Sequence, residues 1–429
     1  MDHFLSAYGE AINALFARTT NDTKLGLERT YALLAILGSP HQALAAIHVA
    51  GTNGKGSVVA TVEALLRSRG RRVGRYTSPH LVDFRERITI DGVPIPETQV
   101  LAFLERWTPD AEKLGATFFE LTTALAFWWF AEQAVDFAIL ETGLGGRLDS
   151  TNVIAPKVAV VTSIGLDHTD LLGSTLAEIA REKAGIFKPG VAAVIGELDP
   201  TTRRLLEASA RQAGAEPIVT LDDSYEIGSA RLTTTGTSFL LRHGGNEVEI
   251  ETPLIGEHQA RNTAIAIAAV SALGAEYEPD PPSISDSLAR VFLPGRFQVD
   301  GNVIFDVAHN PAGARTVAAS LRALDPPAPV IAVVAVLGDK DWRGIVEELA
   351  PAIDSFIFTN APSAPPGRAW DPAGAHAFAR DAGHGSEVEP DLDAALGRAA
   401  QHAGTVVVTG SFHTVGDAMA RLQVSPFAA

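Results

Sequence analysis

The sequence predicts an α/β protein with a central parallel sheet and a small antiparallel insertion, followed by a smaller α/β domain. Three observations carry this reading. Short β-branched runs alternate with amphipathic helical patterns along most of the 429 residues, the pattern of a parallel sheet with helices on its faces. A glycine-rich segment, Gly51-Thr52-Asn53-Gly54-Lys55-Gly56-Ser57, joins a strand pattern to a helix pattern. The alternation is interrupted at about 229–251 and restarts after Pro294-Gly295-Arg296.

In chain order, Ala46–Ala50 is the first clear strand, and it ends in glycines. Val58, Val59, Val62, Leu65 and Leu66 then recur at helical spacing, with Gly70 where a C-terminal cap belongs. Further strands are expected at Val73–Tyr76, Val135–Leu140 and Val158–Ile164, with a helix over Phe118–Gln133 before the second. The most apolar stretch, Leu121–Ala131, is bounded by Glu120 and Glu132. It falls well short of the roughly 20 residues a bilayer requires, so a buried helix is expected.

Residues 229–251 alternate with period two around Gly244-Gly245, which predicts a hairpin, expected as an insertion at the edge of the main sheet. An Ala-rich helix over Gln259–Leu273 leads into the Pro-rich stretch at 279–283. Strands follow at Val303–Phe305, Val330–Leu337, Phe356–Thr359 and Thr405–Thr409, with a turn-rich loop at 361–367. The boundary is placed near 293–298, giving domains 1–293 and 294–429, both of ordinary size.

Composition narrows the function. Hydrophobic residues make up 46% and charged residues 20% of the chain, enough apolar material for packed cores. With 34 Lys+Arg against 51 Asp+Glu the net charge is −17, which argues against binding nucleic acid by bulk electrostatics. An anionic ligand must be handled locally. The absence of Cys excludes disulfides, Cys-ligated metal and a thiol nucleophile. Met1-Asp2-His3-Phe4 lacks the basic start of a secretory signal, so a cytoplasmic location with no membrane partner is expected; a monomer is expected as well.

The glycine segment carries the strongest chemical signal. Glycines between a strand and a helix let backbone N–H groups approach a phosphate chain, and the helix N-terminus and Lys55 add positive charge. Ser57 could offer a hydroxyl to Mg2+. The spacing departs from G-x-x-x-x-G-K-[ST], since Val49 stands at the first glycine position and Gly56 separates Lys55 from Ser57. Glu141 ends an apolar strand, where open sheets place ligand sites. Without further context it would read as a solvated strand end, His168 as a surface residue and Lys183 as the polar face of a helix.

GTNGKGS resembles the phosphate loop of the Mur ligase superfamily, and particularly its folate branch, folylpolyglutamate synthase/dihydrofolate synthase. Thr77-Ser78-Pro79-His80-Leu81, the Glu141–Asp149 run ETGLGGRLD, Leu166-Asp167-His168-Thr169, the Arg181–Ile186 run REKAGI, Pro294-Gly295-Arg296-Phe297 and the Phe305–Pro311 run FDVAHNP are similar to that family's motifs, in its order. The likeness runs from Leu25–Arg29 to Gly410–Thr414. It implies a P-loop-type central domain and a Rossmann-like glutamate-ligase domain. It also implies an ATP-dependent ligase joining L-glutamate to dihydropteroate, to folates, or to both, through an acyl phosphate. A muramyl-peptide ligase and a nucleotide-dependent binding ATPase are the rivals.

Residue by residue, the resemblance assigns ATP to Thr52, Asn53, Gly54, Lys55, Gly56, Ser57, Asn262, Arg296, Asp306 and His309. Two Mg2+ ions are implied at Ser78, Glu141 and His168, and a carbamylated Lys183 is implied beside them. Lys55, His168 and Lys183 carry the catalytic role. The pterin-bearing substrate falls to Lys24, Leu25, Gly26, Arg75, Tyr76, Thr77, Thr117, Phe118, Phe119, Glu120, Leu148, Asp149 and Ser150, and glutamate to Ser411 and His413. Phe118 or Phe119 could stack on a flat ring, and Glu120 or Asp149 could accept its N–H groups.

Overall fold

The computed structural model describes residues 7–18, 26–401 and 404–427. They form two compact units: one comprises residues up to 79, 84–226 and 262–287, and the other comprises 80–83, 227–261 and 288 onward.

The first unit holds an eight-stranded sheet of β1 (Ala46–Ala50), β2 (Val73–Tyr76), β3 (Ile88–Ile90), β4 (Val93–Pro94), β5 (Phe137–Glu141), β6 (Val158–Val161), β7 (Ala192–Ile195) and β8 (Ile218–Thr220). Its order is β4-β3-β2-β5-β1-β6-β7-β8. The six strands from β2 to β8 in that order are parallel, and β3 and β4 add an antiparallel edge. Every residue of β1, β5, β6 and β7 is buried. Helices cover both faces, which is why these strands read as unbroken apolar runs.

Parity decides which helix each side chain meets. Gly74 and Tyr76 face the helix Phe118–Glu132: a Cβ on Gly74 would lie 2.6 Å from the Phe130 ring, and Tyr76 packs in the same core as Leu121 and Phe127. Arg75 points to the other face, toward the helix Lys55–Ser68. The helix Phe118–Glu132 is the expected buried apolar one, opened by a capping box between Thr117 and Glu120. Among the described residues no helix is long and apolar enough to cross a membrane.

The period-two segment forms β9 (Glu226–Ile227), β10 (Arg231–Thr233), β11 (Gly236–His243) and β12 (Asn246–Thr252), with Gly244 and Gly245 at positive φ in the turn. The expected place at the edge of the main sheet is corrected, because these strands make a separate four-stranded sheet. The physical reason is the core that the sheet's apolar face covers. Phe239, Leu241 and Ile250 are buried, and Leu232 packs against the core of the second unit.

That second unit also holds a six-stranded sheet: β13 (Gln298–Asp300), β14 (Val303–Asp306), β15 (Val330–Val334), β16 (Ser355–Phe358), β17 (Gly385–Val388) and β18 (Thr405–Thr409), in the order β13-β14-β18-β15-β16-β17. All but β13 are parallel. The helix after each parallel strand starts on a side-chain cap: Asn310, Asp341, Asp371, Asp391 and Ser411. Each cap satisfies a backbone N–H that the helix leaves open.

Candidate active site

The site grows from the middle of the first sheet. β1 pairs with β5 on one side and β6 on the other, so its carboxyl end is flanked by Glu141 and by the segment that follows β6. Open α/β sheets bind ligands at such ends. β1 runs into Gly51, at φ 153°, where a Cβ would come within 1.9 Å of Thr162 Oγ1. Thr52 N donates to Ser163 O at 2.7 Å, while the Thr162 and Ser163 hydroxyls both donate to Asn53 O, at 2.6 and 3.1 Å. The loop is thus clamped along the end of β6. Gly54, at φ 86°, turns it into the helix Lys55–Ser68, whose first turn has no side-chain cap. Uncapped N–H groups at a helix start suit an anion. Gly56 and Ser57 are buried in that turn. Asn262 is brought to the same loop, since a Cβ on Gly54 would meet its Oδ1 at 2.5 Å.

Two lysines converge on one carbonyl oxygen. Lys183 Nζ donates to Gly51 O at 2.8 Å, and Lys55 Nζ donates to the same oxygen at 3.1 Å and to Thr52 O at 3.3 Å. Burial, and then the neighbouring Lys55 charge, bring the Lys183 amine down from 10.5 to about 7, against the opposing pull of Asp167 and Asp149. Glu141 answers this charge, with Oε1 3.8 Å from Lys55 Nζ and Oε2 accepting from Ser78 N at 3.4 Å.

The helix Leu176–Ala184 delivers Lys183, and its last turn is pressed onto the glycine loop after β5. A Cβ on Gly146 would lie 2.7 Å from Lys183 O and 2.8 Å from Glu182 O, and Arg147 N donates to Glu182 O at 2.8 Å. Gly146→Ala is therefore expected to destabilise the fold by about 1–3 kcal/mol through overpacking against backbone, and to slow turnover by displacing Lys183. Urea denaturation checks the first effect. An unchanged midpoint would contradict the packing described.

His168 lies on the segment that follows β6. It adopts φ 50° before the short helix Thr169–Leu172, its ring is 40% exposed, and Nε2 lies 3.9 Å from Asp167 Oδ1. Asp167 also acts on Lys183, so it belongs to the site although the sequence singled out only His168. Its signal was the Asp-His-Thr-Asp run itself. Among the described residues no three His, Asp or Glu form a ready metal cage; Ser78 N meets Glu141 Oε2, and His168 follows β6 on the neighbouring segment.

Of the residues expected at a flat-ring substrate, Lys24 and Leu25 lie outside the described residues. Gly26 is at φ 131°. Phe119 is half-buried over Gly143, where a Cβ would come 2.4 Å from its ring, and its centroid is 6.1 Å from that of Tyr76. Asp149 is buried and holds the same loop, accepting from Leu144 N at 2.8 Å and Thr151 N at 3.0 Å. Leu148 and Ser150 flank it. Phe118 is core instead, stacked 5.0 Å from Phe16 with the Arg87 guanidinium 5.1 Å over its ring.

Other expected contacts are taken up within the fold. Arg75 pairs with buried Glu63 at 2.9 Å, on the face of β2 opposite Tyr76. Glu120 accepts from Thr117 N at 2.7 Å and pairs with Arg29 at 2.9 Å. Thr77 is held to Arg87 O and Glu86 O. The Tyr76 hydroxyl meets Thr123, and burial raises its pKa.

In the second unit, the expected residues lie before β13, at the end of β14 and in the segments after β14 and β18. Asp306 accepts from Phe297 N and Ala308 N, each at 2.8 Å; burial raises its pKa against the opposing Arg296 charge. Arg296 lies 4.9 Å over the Phe412 ring, and His309 meets the same ring at 5.7 Å. His309 Nδ1 is 2.9 Å from Val307 O, a geometry that leaves Nε2 as the acceptor in the neutral ring. Ser411 is buried as a helix cap, bonded to Thr414. His413 is bonded to Ser363 at 2.9 Å, tying down the 361–367 loop, and burial lowers its pKa.

Known families match the chain in two successive parts. The Mur ligase middle domain matches residues 49–270, and the Mur ligase, glutamate ligase domain matches residues 295–412. The dihydrofolate synthase/folylpolyglutamate synthase of Escherichia coli (strain K12) is 38% identical over 401 residues, spanning 92% of this chain and 90% of that protein. Folylpolyglutamate synthase of Mycobacterium tuberculosis, solved complexed with ADP and AMPPCP, superposes with a TM-score of 0.89 at 35% identity, over 98% of this chain and 99% of that one. The E. coli FolC structure in complex with DHPP and ADP gives a TM-score of 0.84 at 34% identity, over 99% of each chain.

Proposed function

Because the chain belongs to the folylpolyglutamate synthase/dihydrofolate synthase family of the Mur ligases, we propose that the residues gathered around Gly51 use ATP to activate a pteroate- or folate-type carboxylate for amide formation with L-glutamate. The enzyme is an ATP-dependent acid–amino-acid ligase. The observation that carries the reading is the pair of lysines on Gly51 O with Glu141 beside them.

A carboxylate at neutral pH is a poor electrophile. Its oxygen attacks the γ-phosphorus, the bond to the β-phosphate bridging oxygen breaks, and ADP leaves an acyl phosphate. The neutral glutamate amine then adds to the acyl carbon, the C–O bond to phosphate breaks, and the amine gives up its proton. The first step brings anions together, so it needs positive charge placed in advance. Lys55, the 52–57 backbone and the uncapped helix start supply that charge. Asn262, at the same loop, and Arg296, Asp306 and His309 are each proposed as nucleotide contacts.

Ser78 and Glu141 offer hard oxygen donors, which fit Mg2+ better than the His168 ring does. A carbamylated Lys183 would add an anionic oxygen to that set. When bound, Mg2+ neutralises the phosphate oxygens. Phe119 and Asp149 are proposed to receive the pterin ring. Arg75 and Glu120 are proposed to support that site through the ion pairs described above, and Ser411 and His413 to shape the glutamate side, Ser411 through the helix start it caps and His413 through the Ser363 loop it ties down. The enzyme is proposed to act as a cytoplasmic monomer.

The test is ligation assayed with ATP, Mg2+ and L-glutamate, offering dihydropteroate, tetrahydrofolate or a UDP-muramyl acceptor, with ADP and product mass followed. Product from the first two supports dual activity, and product from tetrahydrofolate alone reduces it to a folylpolyglutamate synthase. Product only from the UDP-sugar, or ADP formed whatever the acceptor, would overturn the reading.

A further inference from the structure

We propose that His48 is a positioning residue for the acceptor site, orienting Asp149 through the Thr151 hydroxyl. The inference rests on the functional reading above and concerns a residue that reading leaves without a role. β1 is a central strand flanked on both sides, and all five of its residues are buried. Ile47 and Val49 suit such a place. His48 does not, since a buried imidazole gives up two hydrogen bonds to water and must regain them inside the fold.

It regains one. His48 Nε2 lies 2.8 Å from Thr151 Oγ1, and Nδ1 has no partner among the described residues. The Thr151 hydroxyl in turn donates to Asp149 Oδ1. Asp149 takes further N–H bonds from Thr151 and Leu144, so it acts as an acceptor. The single Thr151 proton is therefore committed to the carboxylate, and Thr151 can only accept from His48. The imidazole carries its proton on Nε2 and remains neutral, since burial and the nearby Lys188 charge press its pKa to about 3. A leucine at position 48 would pack, but the Thr151 hydroxyl would be free to rotate. Asp149 would then keep its bonds from Leu144 N and Thr151 N but lose the directed hydroxyl bond that completes its orientation at the loop placing Gly143 beneath Phe119.

The test compares His48→Leu, the near-isosteric Thr151→Val, their double variant, and His48→Gln, which retains a donor near Nε2. His48→Leu and Thr151→Val are each expected to raise KM for dihydropteroate about tenfold, as loss of one buried orienting bond would, with KM for ATP unchanged. The double variant should be no worse than either single one, and His48→Gln should recover most of the loss. An unchanged dihydropteroate KM in Thr151→Val, or a Gln variant as poor as Leu, overturns the inference while wild-type turnover sustains the functional reading. If wild-type enzyme turns over no pteroate acceptor, the functional reading falls, and imidazole 15N shifts decide the relay. A neutral Nε2–H ring that changes in Thr151→Val supports it, and an Nδ1–H ring overturns it.

Discussion

Replacing Lys55 with methionine is expected to lower kcat for ligation about 10²- to 10³-fold, the scale for removing one pre-placed charge from a developing anion. Methionine keeps much of the unbranched stem and its packing. What disappears is the ammonium held by Gly51 O and Thr52 O and standing 3.8 Å from Glu141. The fold should survive, because the loop itself is fixed by Thr162, Ser163 and the Thr52 backbone rather than by this side chain. Arginine should not restore the rate, since its planar fork is bulkier and cannot serve as a compact point charge. The Lys55 charge also helps to hold the Lys183 amine down, so the variant should carry a higher Lys183 pKa. Single-turnover ADP formation and the melting temperature check the two halves. A kcat within about threefold of wild type would remove Lys55 from the phosphoryl step, since 0.6 kcal/mol is too little for such a charge.

The parallel strands were legible because a strand buried on both faces must be a continuous apolar run, and β1, β6 and β18 announce themselves that way. The glycine loop was legible because positive φ at Gly54 and close approach at Gly51 leave little freedom of residue type. Sequence reading does not reveal the partners that polar side chains find far along the chain. Arg75 on β2 pairs with Glu63 on the neighbouring helix, and Glu120 pairs with Arg29, 91 residues earlier. Period-two patterning at 229–251 specified strands but not the core they would cover. Asp167 and the Thr162–Ser163 clamp escaped notice because their roles exist only once β6 is laid beside β1.

Lys183→Met is expected to abolish most ligation, by about 10²-fold or more on the same electrostatic scale, and yet to stabilise the fold near neutral pH in CO2-free buffer. An ordinary lysine is neutral in only about 3 molecules in 10⁴ at pH 7. An amine at about 7 is neutral in about half, and only the neutral amine attacks CO2. Carbamylation forms the N–C bond, releases the amine proton and replaces a buried cation with an anion near Lys55. The sign of the stability effect follows from the lowered value. Between about 7 and the ordinary value near 10.5 the unfolded chain binds the proton and the folded chain does not, so unmodified Lys183 makes stability rise with pH across that window. Below it both states are protonated, and the full burial penalty remains. The wild-type minus Met difference in unfolding free energy should therefore climb from pH 7 to 10 in CO2-free buffer and be flat below pH 6. Adding ¹³C-bicarbonate should produce a carbamate resonance in wild type that is lost in Lys183→Met, and should raise wild-type activity alone. Full activity after exhaustive CO2 removal, with no resonance on re-addition, would leave Lys183 as a plain amine and assign its effect to Gly51 alone.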